Sequence, residues 1–368
     1  MHFIIEREKL LKLIQLASGI VEKKQTLPIL SNVLLALSDT KLSITATDLE
    51  IELITYIEMD QSVEAGEITV NARKLFDICK SLPEEAKIEF VTEKNWIKIK
   101  SGKSHFNLVT LPANEFPSVE ESTWQLEFFL PEAILKTYLE NCYFAMAQQD
   151  VRYYLNGMLF EIRDSQLKFI ATNGHRMALG TCSNVDSLKG QSTQVIVPRK
   201  GVLELMRLLS EGESNITLKI GSNHLQVKTP DFLFMSKLID GKFPDYSKGI
   251  PKTGDKVIYV EKESFKQALT RVAILSNEKY RGIRLLLSSG AIKIMTNNPE
   301  QEEAEEELAI DYQGPELEIG FNVNYLLDVC NVVRAENVKL TFSDINSCVV
   351  MEDPSQEDYI YFVMPMQV

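Results

Sequence analysis

The stretch LNGMLFEIRDSQLKFIATNGHRMAL, residues Leu155–Leu179, decides the fold prediction. It opens with an apolar run at Met158–Ile162, turns at Arg163–Gln166, and then alternates, with apolar residues at Leu167, Phe169 and Ala171. An apolar run, a polar turn and a period of two are typical of two adjacent β-strands. We therefore predict a strand pair here.

The same pattern occurs three times in the chain. The first copy is SNVLLALSDTKLSITATDLEIEL (Ser31–Leu53), and the third is RGIRLLLSSGAIKIMTNNPEQEEAEEEL (Arg281–Leu308). Equivalent places are held by Thr47, Thr172 and Asn297, each 125 residues after the last (172 − 47 and 297 − 172). This period exceeds the roughly 20–50 residues of a solenoid repeat and suits whole domains of about 100–200 residues. One domain shape is predicted to be used three times.

Each repeat follows the same order of elements. An amphipathic helix comes first, preceded by Pro131 in the second repeat and by the predicted N-cap Ser264 in the third. The strand pair, a further strand, a second helix and closing strands follow. The fold class is therefore α+β, with two helices packed on antiparallel strands in each repeat. We expect domains at 1–124, 125–253 and 254–368, and an exposed sheet edge at Ser104–Val109.

Composition narrows the class of protein. The chain has 368 residues, of which 45% are hydrophobic, enough for several buried cores. It contains no apolar run of the roughly 18–20 residues that a membrane span needs, and acids and bases stand where a signal peptide would have its apolar core. Five scattered cysteines without a CxxC pair indicate reduced thiols. The prediction is a cytoplasmic protein without membrane contact.

The distribution of charge suggests more than its total. A formal net charge of −13 alone argues against nucleic acid, because DNA-binding domains are typically basic. The acids, however, are densest in Pro299–Glu307, whereas the predicted helices carry many of the lysines and arginines. If the three modules form a ring with helices inward, these cations line one concave surface that attracts a polyanion without reading base sequence. The alternative is an ordinary solvated face on each helix.

Two segments are candidates for chemistry. NGHR (Asn173–Arg176) groups an imidazole, a guanidinium and an amide, but no triad recurs in the other repeats; a turn after a strand and a binding role are the alternatives. In Gln148–Gly157, arginine and two tyrosines could meet phosphate and bases, or the rings could pack on the core. The acidic run Glu302–Glu307 lacks calcium-loop spacing, and no nucleotide, zinc or hydrolase motif is present. No catalytic residue, metal or cofactor is predicted.

Several segments together resemble the bacterial DNA polymerase III beta subunit, the sliding clamp family. The resemblance covers all three repeats and rests on TLPILSN (Thr26–Asn32), TVNARKLFDICKSLP (Thr69–Pro83), QDVRYYLNGMLFE (Gln149–Glu161), ATNGHR (Ala171–Arg176), VPRKGVLELMR (Val197–Arg207), KFPDY (Lys242–Tyr246), AILSNEKYRG (Ala273–Gly282), NNPEQEEAEE (Asn297–Glu306), IGFNV (Ile319–Val323) and VMPMQV (Val363–Val368).

The resemblance implies a DNA-clamp fold closing as a head-to-tail dimeric ring, with helices lining the hole. It implies a non-catalytic processivity factor that encircles duplex DNA without sequence specificity. Its partners would be the replicative polymerase alpha subunit, the clamp loader, and other polymerases and repair proteins, all bound through clamp-binding peptides.

The resemblance also assigns residues. The implied DNA-facing residues are Lys24, Arg73, Gln149, Tyr153 and Tyr154. The implied partner-peptide pocket consists of Leu155, Thr172, Gly174, His175, Arg176, Met177, Pro244, Lys248, Ile345, Phe362, Met364, Pro365 and Met366. The implied dimer contact pairs Phe106 and Leu108 with Ile274 and Leu275 of the other chain, assisted by the acidic run.

The sequence departs from the family at several of these places. Lys248 stands where better-known members have arginine, and Gly249 replaces an apolar residue, which alters one wall of the implied pocket. Gln148 replaces a histidine and Gln367 a terminal arginine. Two other hypotheses stay open at this point: a three-module peptide-binding protein without a DNA role, and an enzyme with its active site at Asn173–Arg176.

Overall fold

The computed structural model describes residues 1–21, 27–38, 40–59, 64–117, 123–251 and 254–367. This part of the chain contains six α-helices: α1 (Arg7–Ser18), α2 (Ala72–Ser81), α3 (Glu132–Cys142), α4 (Arg199–Leu208), α5 (Lys262–Ala273) and α6 (Val323–Val332).

Its strands are β1 (His2–Glu6), β2 (Asn32–Ser38), β3 (Lys41–Thr47), β4 (Ile51–Glu58), β5 (Gly66–Asn71), β6 (Lys87–Glu93), β7 (Trp96–Ser101), β8 (Ser104–Leu111), β9 (Trp124–Pro131), β10 (Gly157–Arg163), β11 (Gln166–Thr172), β12 (Arg176–Cys182), β13 (Ser192–Pro198), β14 (Asn215–Gly221), β15 (His224–Lys228), β16 (Phe232–Lys237), β17 (Lys256–Glu261), β18 (Gly282–Ser288), β19 (Ala291–Asn297), β20 (Glu303–Ala309), β21 (Leu317–Asn322), β22 (Asn337–Phe342), β23 (Val349–Asp353) and β24 (Gln356–Val363).

The three predicted strand pairs are confirmed. They are β2–β3, β10–β11 and β18–β19, all antiparallel, and the equivalent residues Thr47, Thr172 and Asn297 each end the second strand of their pair. Between β10 and β11, Asp164 and Ser165 both have positive φ, the backbone that a tight two-residue hairpin turn requires. Local turn chemistry therefore fixes the register that places the apolar side chains inward.

The first compact unit comprises Met1–Ile134 and Leu203–Leu238. Its twelve strands form one sheet in the order β1-β6-β7-β8-β5-β2-β3-β4-β16-β15-β14-β9. Helices α1 and α2 pack on each other, and α1 also lies against β3 and β4. The Thr55 hydroxyl donates to the Leu13 carbonyl at 3.5 Å, so a polar group buried between strand and helix is satisfied.

The second compact unit comprises Leu135–Val202 and Ile239–Val368. It holds an eight-stranded sheet, β13-β10-β11-β12-β24-β23-β22-β17, and a four-stranded sheet, β20-β19-β18-β21. Helices α5 and α6 pack on each other. The Tyr138 ring stacks on Phe169 at 5.1 Å between centroids, anchoring α3 on β11.

The starts of two helices test the capping predictions. Helix α3 begins at Glu132, directly after Pro131, as expected. The N-cap prediction for α5 is wrong: the helix begins two residues before Ser264, at Lys262. The Glu261 carboxylate accepts from the backbone N–H of Glu263 and of Ser264, two first-turn donors that have no partner within the helix.

Among the strand edges left open in the described residues, two bear on the predicted dimer. Strand β8 pairs with β7 along its length but with β5 only through Leu111 and Thr110, so the predicted edge at Ser104–Val109 is confirmed. Strand β20 borders the four-stranded sheet and pairs with β19 alone. Among the described helices, none is both long and apolar enough to cross a bilayer.

Candidate peptide pocket and DNA-facing residues

A tight turn follows the strand pair in every repeat. In the first two, a side-chain oxygen caps the turn: Asp48 Oδ1 accepts from the N–H of Glu50 and Ile51, and Asn173 Oδ1 accepts from His175 and Arg176. In the third, Asn298 Oδ1 accepts from Glu302 N–H at 2.9 Å. Short Asp and Asn side chains favour this local bonding. NGHR is thus a turn.

Each of the first two turns receives a further strand end. The N–H of Lys237 donates to the Glu50 carbonyl at 2.8 Å, and the N–H of Met364 donates to the His175 carbonyl at 2.8 Å. The tips of the two turns share a positive φ, +87° at Gly174 and +78° at Leu49. They differ in residue type, since the second turn has glycine where the first has leucine. A glycine adopts this backbone without strain, and its missing Cβ lets the Arg152 guanidinium approach, since a Cβ there would lie 2.9 Å from Arg152 Nη1.

A cavity of about 270 Å³ opens beside Gly174. It is lined by Arg152, Tyr154, Leu155, Thr172, Gly174, Arg176, Met177, Pro244, Asp245, Tyr246, Gly249, Phe362 and Met364. Beneath it lies an apolar cluster that includes Leu155, Met177 and Phe362. A mostly apolar concavity with a few polar groups at its rim is the usual form of a binding site for a ligand or peptide.

The structure brings together eight of the thirteen predicted pocket residues. Those that line the cavity are Leu155, Thr172, Gly174, Arg176, Met177, Pro244, Phe362 and Met364; those that do not are His175, Lys248, Ile345, Pro365 and Met366. His175 acts through its carbonyl, which holds Met364. The Lys248 side chain is 82% exposed and pairs with Asp245 at 3.5 Å.

The sequence prediction missed Arg152, Asp245 and Tyr246 in the lining. The Arg152 guanidinium donates to the Asp150 carboxylate at 2.8 Å and to the Asn173 carbonyl at 3.1 Å, so it lies across the turn. The bond from the guanidinium to the carboxylate, together with one from the backbone N–H of Arg152, lowers the pKa of Asp150 to about 2. The signal was present, since all three residues stand inside the motifs QDVRYY and KFPDY.

The Tyr246 hydroxyl fixes another wall of the cavity by donating to the Glu161 carboxylate. Burial and this carboxylate raise the pKa of Tyr246, because both disfavour a phenolate. The ring therefore stays a neutral donor and an apolar surface.

The predicted DNA-facing residues occupy different environments. Arg73 is exposed on α2, and Tyr153 is 56% exposed. Gln149 is exposed and has φ +56°. The Tyr154 ring packs on the apolar cluster and lines the cavity, edge-on to Tyr153 at 5.8 Å. Lys24 lies outside the described residues.

The predicted dimer residues also differ in exposure. Ile274 is 74% exposed, and Leu275, Phe106 and Leu108 are half-buried. Within the ranges that the structure covers, no three His, Cys, Asp or Glu side chains are grouped to hold a metal.

Family profiles match nearly the whole chain. The N-terminal, central and C-terminal domains of the DNA polymerase III beta subunit match residues 1–120, 129–245 and 248–367. The chain belongs to the DNA polymerase III beta subunit family. The beta sliding clamps of Pseudomonas putida and Pseudomonas aeruginosa are 52% and 51% identical to it over 369 residues, covering 100% of both chains.

Solved structures of this family agree with the fold. The beta subunit from Pseudomonas aeruginosa superposes with a TM-score of 0.97 at 50% identity, and that from Caulobacter crescentus with 0.94 at 34%, each covering 100% of both chains. The predicted three-domain clamp fold is confirmed. So is the function of a sliding clamp, a processivity factor without catalysis of its own.

Proposed function

We propose that two copies of this chain close into a ring around duplex DNA and tether the replicative polymerase through the cavity beside Gly174. The observation that carries this proposal is the pairing of a full-length clamp fold with an apolar cavity formed around the NGHR turn. The proposed domains are 1–124, 125–253 and 254–368, and the proposed site of action is the cytoplasm.

DNA contact is proposed for Lys24, Arg73, Gln149, Tyr153 and Tyr154. Exposed cations meet phosphate without reading base sequence, and the exposed Tyr153 ring offers a stacking surface. Because the chain carries a formal net charge of −13, DNA is repelled from most of its surface, so such contacts stay weak and mobile. Topological linkage would then supply retention while the ring slides.

The peptide pocket is proposed to take apolar side chains of partner segments. These partners are the polymerase alpha subunit, the clamp loader, and other polymerases and repair proteins. Met177 and Met364 give the lining adaptable apolar contacts, which suit a site with several partners. A structure of the Pseudomonas aeruginosa clamp holds griselimycin, and we propose that this compound would compete with those segments here.

The dimer is proposed to join β8 of one copy to β20 of the other, because both edges are open and the repeats supply a template. Within the chain, β4 pairs with β16 from Ile51 opposite Ser236, and β12 pairs with β24 from Arg176 opposite Val363. In both cases the first partner follows the tight turn. The equivalent residue after the third turn is Glu302, since Asn297 pairs with Glu303 as Thr47 pairs with Glu52.

The residue of β8 that would lie opposite Glu302 is identified in the same way. The N–H of Thr110 donates to the Asn95 carbonyl as that of Leu238 donates to Asn223, so Leu108 is equivalent to Ser236. The proposed register sets Glu302 opposite Leu108 of the second copy. It follows that Glu305 faces His105 and Glu307 faces Lys103, a charge arrangement that favours the antiparallel pairing.

The ring is tested by retention on DNA of two topologies. Purified protein is loaded by a matching clamp loader with ATP on nicked circular DNA and on the same DNA linearised. Long retention on circles with rapid loss from open ends is expected. Equal retention on both would mean surface binding, and no retention, with a loader active on its own clamp, would favour a peptide-binding module without a DNA role.

The pocket is tested by removing Met364–Val368. Met364 lines the cavity and its N–H is held by His175, so the deletion should abolish binding of polymerase and loader while the dimer stays intact. If the truncated chain bound its partners normally, the assignment of this cavity as the peptide pocket would be refuted.

A further inference from the structure

Arg176 contributes to the cavity lining, yet its guanidinium is held by residues that do not line the cavity. Its Nη1 donates to the Asp328 carboxylate and its Nη2 to the Phe144 carbonyl. The guanidinium carbon lies 4.5 Å from the centre of the Tyr325 ring and 5.3 Å from that of Phe144. The side chain is 12% exposed. Arginine thus turns its charged end away from the site.

The anchor depends strongly on one carboxylate. Among the described residues, Arg176 Nε is buried without a hydrogen-bond partner, so the two terminal nitrogens make all of the side chain's hydrogen bonds. Of their acceptors only Asp328 is charged, and hydrogen bonds between ionised groups are about twice as strong as neutral ones. The two aromatic faces and the carbonyl would remain without it, but a cation held only by those partners is far freer to move.

Helix α6 holds the NGHR turn at both of its ends. Asn173 Nδ2 donates to the Tyr325 hydroxyl at 3.2 Å, and Arg176 binds Asp328. Tyr325 and Asp328 are three residues apart on one helix, so they share a face. The shape of the turn, and of the cavity wall beside it, is therefore tied to this helix face.

We propose that Asp328 is a positioning residue that sets the selectivity of the peptide pocket. By holding the guanidinium outside, it presents the aliphatic stem of Arg176 to the cavity and keeps that wall apolar. When the carboxylate is removed, the guanidinium turns towards the cavity, so apolar anchors bind less well and an acidic side chain gains a partner. This inference rests on the proposed peptide-binding function.

The test compares two labelled probes by fluorescence anisotropy. One is the clamp-binding segment of the cognate polymerase, and its twin carries aspartate in place of one apolar anchor. In Asp328→Asn, binding of the apolar probe should weaken about tenfold, the low end for loss of a bond to a charged group. The ratio of its affinity to that of the aspartate twin should fall by more than this factor, because the twin gains a partner in the released guanidinium. Asp328→Glu keeps the charge and should restore both to within about threefold of the wild type, an allowance for the longer side chain.

A double-mutant cycle separates positioning from a general role of Asp328 in folding. In an Arg176→Met background, which retains an apolar stem, Asp328→Asn should leave both affinities unchanged, because the group that it positions is gone. A purely structural role would weaken binding equally in both backgrounds, and that result would overturn the inference. So would an unchanged ratio between the two probes in Asp328→Asn.

Failure of this inference differs visibly from failure of the proposed function. If the wild type does not bind the polymerase segment, the peptide pocket itself is wrong. If the wild type binds it and Asp328→Asn binds both probes as the wild type does, only the role of Asp328 falls. Sedimentation of each variant as a dimer with an unchanged circular dichroism spectrum confirms that folded proteins are compared.

Discussion

The proposed dimer contact includes Ile274 and Leu275, and replacing both by alanine should move its dissociation into monomers to a much higher protein concentration. Each change deletes three carbon groups, worth about 0.8 kcal/mol apiece when buried. Ile274 is 74% exposed in the single chain, so its contribution scales to about 1.8 kcal/mol. Leu275 is already mostly buried, so with roughly a fifth of its side chain left to bury it adds about 0.5 kcal/mol.

A head-to-tail dimer has two identical closures, so the loss doubles to about 4.5 kcal/mol, a dissociation constant weakened about a thousandfold. Sedimentation velocity from nanomolar to micromolar concentration measures it. Ile4→Ala is the matched control, because Ile4 is 41% exposed on β1 and plays no part in the proposed closure. A folded double variant with the same dissociation constant as the wild type would refute the interface.

Three further results are expected. Gly157→Ala places Cβ 2.5 Å from a carbonyl oxygen of the neighbouring strand and should lower the free energy of unfolding in urea by about 1–3 kcal/mol. Gly249→Ala is the control, because a Cβ there meets nothing within 4 Å, and its free energy of unfolding should stay within about 0.5 kcal/mol of the wild type. Equal losses in the two variants would contradict the close packing at Gly157. Arg152→Met should return the pKa of Asp150 from about 2 towards 3.8 in a carboxyl NMR titration. In the wild type, the stability contributed by this carboxylate is present above pH 3.8 and lost as the pH falls through 2. If the pKa of Asp150 were the same in the variant as in the wild type, the Arg152 guanidinium would be excluded as the cause of the low pKa. Iodoacetamide at pH 8 should modify the half-buried thiol of Cys182 before the four buried thiols, as followed by mass spectrometry over time. Labelling of any buried thiol faster than Cys182 would contradict its burial.

The hairpins were predictable because period and turn chemistry are local. A strand that alternates in polarity and meets a turn at a fixed place leaves little freedom in its register, so the three strand pairs and the equivalence of Thr47, Thr172 and Asn297 followed from the sequence. The start of α5 was not predictable in this way. Ser264 is a favoured N-cap type and glutamate is not, yet the path of the chain starts the helix at Lys262 and leaves Glu261 to cap it.

The candidate site divides along the same line. The motif ATNGHR marked the turn, and the resemblance supplied eight residues that line the cavity. Arg152 and Asp328 escaped because their roles depend on long-range contacts. Arg152 meets Asn173, and Asp328 meets Arg176, across 21 and 152 residues of sequence. The Tyr154 ring packs on the apolar cluster and lines the cavity, and the alternation of the sequence does not say which way a ring turns after a short helical turn.

The Asn173–Gly174 pair of the turn has a consequence for how the protein ages. An asparagine before glycine loses its amide when the following backbone nitrogen attacks the side-chain carbonyl carbon. Here that nitrogen donates to Thr172 Oγ1 at 3.0 Å, and the Asn173 carboxamide is held by two backbone N–H groups and the Tyr325 hydroxyl. The folded turn therefore resists deamidation, whereas an unfolded turn does not. The amount of isoaspartate at Asn173 would then increase with the time that the turn has spent unfolded.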